Sequence, residues 1–187
     1  FIELDRAGKI YKYRFERACI RSRHQLSYEE VQDVLDGSAN LGEEIDVALH
    51  TLDNLARSIR KSRADRGALD LDIPEAKVVL NQKGHPVDIQ PSQRLESHKL
   101  VEDFMILANE IVASELQKEK VPAIYRIHDP PMREHAEALR ELVGRIGYGL
   151  PKGRPLNPRD LQQLLNKVRD RPVQALISRV VLRSLSR

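Results

Sequence analysis

Residues 95–131 read LESHKLVEDFMILANEIVASELQKEKVPAIYRIHDPP, and the rest of the chain is organised around this stretch. Its apolar residues recur at steps of three and four, which predicts a helix with a wide buried face over residues 100–116. Ser97 is the predicted N-cap, and Lys118 and Lys120 follow where the helix dipole favours positive charge. We expect a central helix, because its apolar positions run nearly all round: Leu100, Val101, Phe104, Met105, Ile106, Leu107, Ala108, Ile111, Val112, Ala113 and Leu116.

Two polar residues, Glu102 and Asn109, interrupt the apolar pattern two turns apart and therefore share one face of this helix. In one interpretation they cap neighbouring backbone groups or meet an arginine. In the other they form a polar spot facing a cleft, where a carboxylate accepts a hydrogen bond from a ribose hydroxyl or holds a metal ion. Periodicity leaves both interpretations open, since a buried carboxylate needs a partner in either case.

The composition is that of a globular domain. Of the 187 residues, 41% are hydrophobic and 32% are charged, which excludes a disordered chain. The net charge of +3 permits an anionic partner without requiring one, and 4% aromatic content does not indicate an aromatic platform for nucleic acid. The single Cys19 excludes an internal disulfide and a cysteine zinc cluster, and it fits a reducing compartment. No apolar run is long enough to span a membrane. We expect a cytoplasmic protein.

The other elements mix strands and helices, with helices dominant in the second half. Gly8 supplies a positive φ in the first predicted hairpin, and Ser27 with Glu30 forms a capping box that opens the first helix. The fold class is therefore α+β, with two β-hairpins packed with the central apolar helix and a helical C-terminal half. The predicted elements are hairpins over residues 1–4 with 10–20 and 75–80 with 85–89, a strand over 121–128, and helices over 27–37, 41–63, 132–146 and 157–168 and from 172 onward.

Basic and acidic clusters have two interpretations each. The basic end of the 41–63 helix either complements the helix dipole or contacts phosphates beside a groove; its cations are Arg57, Arg60, Lys61, Arg63 and Arg66. Asp70 and Asp72, at two-residue spacing, form either an exposed strand face or a metal site.

The common catalytic motifs are missing from the sequence: it has no H-E-x-x-H, no G-x-S-x-G and no Walker loop. Its histidines are scattered, and we interpret each as a surface or structural residue; they are His24, His50, His85, His98, His128 and His135.

Four segments resemble the catalytic domain, called the RNB domain, of the ribonuclease II / ribonuclease R family. They are SYEEV at 27–31, RGAL at 66–69 before Pro74, LVEDFMILAN at 100–109 and YRIHDPP at 125–131. They occur in the order and spacing of that domain. The resemblance covers essentially the whole chain and is closest to ribonuclease R.

The resemblance implies a processive, Mg²⁺-dependent exoribonuclease that degrades single-stranded RNA from the 3′ end to nucleoside monophosphates. Residues 1–187 correspond to the middle of its RNB domain, with the metal-binding aspartate cluster expected before Phe1 and an arginine motif expected after Arg187. We therefore expect no catalytic residue and no metal ligand in this chain, and no activity from the chain alone. The expected partner is single-stranded RNA, with no membrane and no obligate protein partner. The competing hypotheses are a non-catalytic RNA-binding or interaction module on the same scaffold, and a purely structural fragment.

Three substrate-binding residues follow from the resemblance. Tyr28 matches a family tyrosine that helps to distinguish RNA from DNA, and Glu102 matches a glutamate that contacts the terminal ribose. Leu71 lies where the family often has a phenylalanine that stacks on the innermost bases; a leucine cannot stack in the same way, so the expected contact there is apolar. Asn109 and His128 match motif positions to which we assign a structural role.

Overall fold

The computed structural model describes residues 1–71, 75–126 and 131–185. The chain divides into a first unit, Phe1–Arg63 with Arg94–Ile124, and a second unit, Ala64–Gln93 with Tyr125–Arg187. The predicted α+β class is confirmed. The described elements are β1 (Ile2–Leu4), β2 (Ile10–Tyr13), α1 (Tyr28–Leu35), α2 (Glu43–Arg66), β3 (Glu75–Leu80), β4 (Pro86–Ser92), α3 (Glu96–Lys118), α4 (Arg133–Arg145), α5 (Pro158–Val168) and α6 (Gln174–Ser184).

The first hairpin is shorter than its sequence pattern predicts. β1 and β2 pair antiparallel with Ile2 opposite Tyr13, and the last bond runs from Arg14 N–H to Phe1 O. Among the described residues no strand pairs with residues 15–20, so the predicted extension of the second strand is wrong. Side-chain alternation predicts the faces of a strand, but a strand also needs a partner backbone.

Gly8 closes the turn of this hairpin against α2. Its φ is +76°, as the sequence predicts, and a Cβ there would lie 2.8 Å from the backbone of both Ser58 and Ile59. Only glycine accommodates both the left-handed backbone and this close approach. The hairpin is thereby seated on α2.

The core of the first unit lies where α2 and α3 meet the first hairpin. Ile59 on α2 packs with Leu107 and Ile111 on α3, and the half-buried side chains around them are Leu4, Ile10, Tyr13, Leu55 and Phe104. The opposite side of α3 is open, because Val101, Met105 and Val112 are exposed. The expectation that α3 is buried nearly all round is therefore wrong for this chain.

The N-terminus of α3 also differs from the prediction. The helix begins at Glu96 with Leu95 in the N-cap position, so the predicted cap Ser97 lies inside the first turn, where it is buried. A serine before an apolar run is a common cap, but here the chain enters the helix two residues earlier.

The second unit is built around α4, α5 and α6, with a core of Ala136, Leu139, Val143, Leu150, Leu156, Leu161, Leu164, Leu165, Val168, Ile177 and Val181. Its hairpin, β3 with β4, pairs Val78 opposite Ile89, and β4 is exposed along its length. Of the predicted strand over 121–128, residues 121–126 form none, and 127–128 lie outside the described residues. Helix α4 begins at Arg133, with Met132 in the N-cap position.

Candidate nucleic-acid interface

Tyr28 is the first residue of α1, and its position is set by the capping box before it. Glu30 N–H donates to Ser27 Oγ at 3.2 Å, and Ser27 N–H donates to Glu30 Oε2 at 2.7 Å. These bonds satisfy amide groups that a helix N-terminus otherwise leaves without partners. The predicted box is confirmed, and it presents Tyr28 at the surface with 43% of the residue exposed.

The Tyr28 ring stacks on the imidazole of His98 from α3. The ring centroids are 4.1 Å apart and the planes are inclined by 21°. One face of the tyrosine is thus covered, while the residue as a whole remains open to a ligand.

His98 stands in the first turn of α3 and also caps that helix. Its Nδ1 accepts a hydrogen bond from Leu95 N–H at 3.2 Å. A leucine side chain has no acceptor with which to cap a helix, so the histidine satisfies this amide from within the turn. Next to it, Ser97 N–H donates to Gln32 Oε1 at 3.2 Å, which joins α3 to α1.

Glu102 lies one turn beyond His98 on α3. Its Oε2 accepts a hydrogen bond from Arg94 Nη2 at 2.8 Å, and 46% of the glutamate side chain is exposed. Of the two interpretations of the sequence, the arginine partner is observed. The exposure keeps the second interpretation open, because a carboxylate accepts several hydrogen bonds and this one uses a single oxygen. Asn109 is exposed as well.

Leu71 belongs to the second unit. Its half-buried side chain packs against the core of α4, α5 and α6. Its role at a base-stacking position stays a prediction, as do the roles of Tyr28 and Glu102. The structure brings Tyr28 next to His98, and the helical spacing brings His98 next to Glu102.

A buried carboxylate next to Glu102 in the sequence joins α2 to α3. Asp103, whose side chain is 4% exposed, accepts hydrogen bonds from Arg60 Nε at 2.8 Å and from Arg63 Nη1 at 3.0 Å. Two arginines of the basic end of α2 are therefore engaged within the protein. Arg57 is also paired, with Asp53 Oδ2 at 2.7 Å. These three arginines are therefore paired with carboxylates inside the protein, an arrangement that neither interpretation of the basic cluster specified.

Glu96 extends the ionic cluster at the start of α3. It accepts hydrogen bonds from Lys99 Nζ at 2.7 Å and from Arg60 Nη1 at 2.9 Å. Burial by itself raises the pKa of this carboxyl group, but the bonds from Lys99 and Arg60 outweigh burial and lower the pKa to about 2. Glu96 is therefore ionised at every pH near neutrality.

The structure does not extend the site to a metal ion. Within residues 1–71, 75–126 and 131–185, no group of three or more His, Cys, Asp or Glu side chains could hold one. Asp70 is exposed, and Asp72 lies outside the described residues, so the predicted alternative of a metal site at this pair is not described. No helix in the described part of the chain is long and apolar enough to cross a membrane.

Sequence reasoning missed His98 and Arg94. No motif marks the histidine, so the sequence indicates only a surface or structural role for it. One signal was present: His98 precedes Glu102 by four residues, which places both on one helix face. The sequence does not predict the stack with Tyr28, because that contact depends on how α1 packs on α3.

Comparison with known proteins identifies the class. The sequence model of the RNB domain matches residues 1–187. Ribonuclease R of Escherichia coli (strain K12) is 35% identical over 181 residues, which are 95% of this chain and 22% of that protein. Ribonuclease R of Aquifex aeolicus is 31% identical over 186 residues, which are 98% of this chain and 26% of that protein.

Solved structures agree with the sequence relatives. Mycoplasma genitalium RNase R, solved in its apo form and in complex with ribose methylated single-stranded RNA, matches with a TM-score of 0.92 and 26% identity. The match covers 100% of this chain and 30% of that one.

The chain belongs to the RNB domain family, and the resemblance drawn from the sequence is confirmed. The chain spans about a quarter of the length of the curated relatives that it matches.

Proposed function

We propose that residues 1–187 are the middle section of an RNB catalytic domain in a longer protein, which we call the parent protein. The parent protein degrades single-stranded RNA from the 3′ end and releases nucleoside monophosphates, as an Mg²⁺-dependent exoribonuclease in the cytoplasm. Family membership supports the ribonuclease class. As the resemblance implies, we expect the ligands of Mg²⁺ to lie elsewhere in the parent protein and the chain alone to be inactive.

The observation that carries the substrate proposal is that two exposed polar groups, one on α1 and one on α3, both neighbour His98. The Tyr28 phenol at the start of α1 is stacked on His98, and the Glu102 carboxylate follows His98 by one turn of α3. A phenolic hydroxyl and a carboxylate can both hydrogen-bond a sugar hydroxyl, and the carboxylate can only accept. A 2′-hydroxyl, which donates as well as accepts, is the group that distinguishes RNA from DNA at such a site. We propose that Tyr28 and Glu102 contact the 3′-terminal ribose.

Leu71 is proposed as an apolar contact for a base near the end of the RNA path. A leucine has no π-face to stack on a base, so this contact is weaker than that of an aromatic residue.

The test is digestion of 5′-labelled single-stranded RNA by the parent protein and by the 187-residue chain, with and without Mg²⁺. A matched substrate carries a 2′-deoxy nucleotide at its 3′ end. We expect the parent protein to shorten the RNA stepwise from the 3′ end, to require Mg²⁺ and to prefer the ribose end, while the chain alone leaves it intact.

Two variants of the parent protein test the ribose contact, namely Glu102→Ala and Tyr28→Ala. Both are expected to reduce the preference for the ribose end. Binding of RNA without any cleavage by the parent protein would instead support the non-catalytic RNA-binding module. Cleavage by the 187-residue chain would show that the catalytic groups lie within it.

A further inference from the structure

Tyr28 needs external support to hold a defined orientation. It is the first residue of α1, is exposed to 43%, and its ring is attached through two rotatable bonds. A ring in that position samples several rotamers unless a neighbour restricts it. The neighbour is the His98 imidazole, 4.1 Å away and nearly parallel.

His98 is itself well fixed. Its backbone lies in the first turn of α3, and its Nδ1 accepts from Leu95 N–H at 3.2 Å, which defines the orientation of the ring. The residue before His98, Ser97, donates its N–H to Gln32 Oε1, and this bond holds the first turn of α3 against α1. The imidazole is therefore a rigid surface for the tyrosine rather than a second mobile group.

The same histidine is linked to Glu102 by helix geometry. Residues four apart on a helix lie on one face, with Cβ atoms about 5–6 Å from each other. His98 thus contacts Tyr28 on one side and is followed on its own helix face by the Glu102 carboxylate.

We propose that His98 is a positioning residue for recognition of the 3′-terminal ribose. Its ring orients Tyr28 so that the Tyr28 phenol and the Glu102 carboxylate contact the same sugar. The inference rests on the proposed function, in which Tyr28 and Glu102 contact that ribose. It assigns no contact between His98 and the RNA. Two properties of the imidazole are then separable, the flat ring that supports Tyr28 and the nitrogen that caps α3.

Two substitutions separate these properties. His98→Gln keeps an acceptor for Leu95 N–H, as a glutamine at this position of a capping box does, but removes the ring. His98→Phe keeps a ring for the stack but removes the acceptor. His135→Gln, at an exposed position of α4, is the control for loss of a histidine.

The readout is the ratio of kcat/KM for RNA ending in ribose to that for RNA ending in 2′-deoxyribose, measured on the parent protein with Mg²⁺. We expect His98→Gln to lower this ratio roughly three- to tenfold, the size of one aromatic stacking contact. His98→Phe should keep the ratio while lowering the melting temperature, because it loses the cap. His135→Gln should match the wild type in both.

Coupling to Tyr28 provides the second criterion. In a Tyr28→Ala background the stack is already absent, so His98→Gln should cause no further fall in the ratio. Additive losses would show that His98 acts independently of Tyr28 and would overturn the proposal. If His98→Gln does not fold, His98→Asn, which also keeps a side-chain acceptor without a ring, replaces it in the same cycle.

The outcomes separate this inference from the function on which it rests. If the wild type shows no ribose preference, or if Tyr28→Ala and Glu102→Ala both keep it, the proposed ribose contact fails. If those two variants lose the preference and His98→Gln keeps it, only the role of His98 fails. Equal losses in His98→Gln and His98→Phe would show that the ring stack is not what positions Tyr28.

Discussion

Arg60 Nε lies 2.8 Å from Asp103 Oδ2, and this contact joins α2 to α3 at the residue that follows Glu102. The carboxylate is nearly inaccessible to solvent, and its other oxygen binds Arg63. A buried carboxylate is stable only while such partners remain. The acidic residue next to Glu102 in the sequence is thus a structural group, whereas Glu102 itself is exposed.

Asp103→Ala is expected to destabilise the protein by about 3–5 kcal/mol, because it leaves Arg60 and Arg63 without their shared carboxylate in a partly buried site. The measurement is the free energy of unfolding in urea. The control is Glu102→Ala on the same helix. Its ion pair with Arg94 is largely solvent-exposed, so its loss should cost less than about 1 kcal/mol. Similar losses in the two variants would contradict the structural role of Asp103.

The stability of the first unit should fall in acid because of Glu96. Its pKa is about 2 in the folded protein against an ordinary value of 4.5, so ionised Glu96 contributes stability above pH 4.5. As the pH falls from there towards 2, the folded state takes up its proton later than the unfolded state, and the contribution is lost. Urea midpoints measured from pH 6 down to about 2 should therefore fall less steeply for Glu96→Gln than for the wild type. Parallel curves would show that Glu96 does not contribute to this loss.

Gly8 and Gly84 allow backbone strain to be separated from steric overlap. Both are hairpin glycines with nearly equal φ, +76° and +78°, but a Cβ on Gly8 would meet the backbone of α2, whereas one on Gly84 would meet nothing within 4 Å. Gly84→Ala should cost about 1–2 kcal/mol from the left-handed conformation alone. Gly8→Ala should cost more, because α2 has to move away from the hairpin. Melting temperatures of the two variants test this order, which equal shifts would contradict.

Arg94 is expected to set the orientation of Glu102. Arg94→Gln removes the cation that holds Glu102 Oε2, so the carboxylate gains rotational freedom without being lost. The preference for a ribose 3′ end should fall, but by less than in Glu102→Ala, and the unfolding free energy should change by less than about 1 kcal/mol. The measurement is the same kcat/KM ratio on the parent protein. A loss as large as that of Glu102→Ala would indicate a direct contact between Arg94 and the RNA.

Local chemistry explains which parts of this fold could be predicted from the sequence. The box at Ser27 and Glu30, the positive φ at Gly8 and the second hairpin all depend on residues close together in the chain, and all were predicted. The predicted cap at Ser97 failed because a histidine side chain inside the turn caps α3 instead. Neither the capping-box pattern nor the apolar period predicts that a histidine side chain caps the helix.

The features that the sequence did not predict depend on contacts between residues that are distant in the chain. The second strand of the first hairpin was predicted up to residue 20, although its partner β1 has only three residues, Ile2–Leu4. Similarly, Glu102 and Asp103 are adjacent acidic residues in one helix, and only the packing of α2 decides that Asp103 is buried while Glu102 is exposed. The stack of Tyr28 on His98 has the same origin, because it joins residues of two helices that are distant in the sequence.

The final prediction concerns Arg140, a buried arginine of α4 that holds the loop between α4 and α5. Its Nε donates to Pro151 O and its Nη2 donates to Arg154 O, each at 2.6 Å, and 7% of its side chain is exposed. Arg140→Met keeps the apolar stem but leaves both carbonyl oxygens without this donor, so we expect a loss of about 2–4 kcal/mol. Amide hydrogen exchange of peptides from α4 and from residues 147–157 should rise together.

Arg145 on the same helix is the matched control. Arg140 pairs with Glu137 at 2.8 Å, and Arg145 likewise pairs with a glutamate one turn away, Glu141, but 77% of the Arg145 side chain is exposed. Arg145→Met should therefore change the unfolding free energy by no more than about 0.5 kcal/mol and leave exchange in the loop unchanged. If Arg140→Met behaves like Arg145→Met, the loop is held by other contacts. The bidentate pair of Arg154 with Asp160, in which both bonds are 2.7 Å, would then be the next candidate.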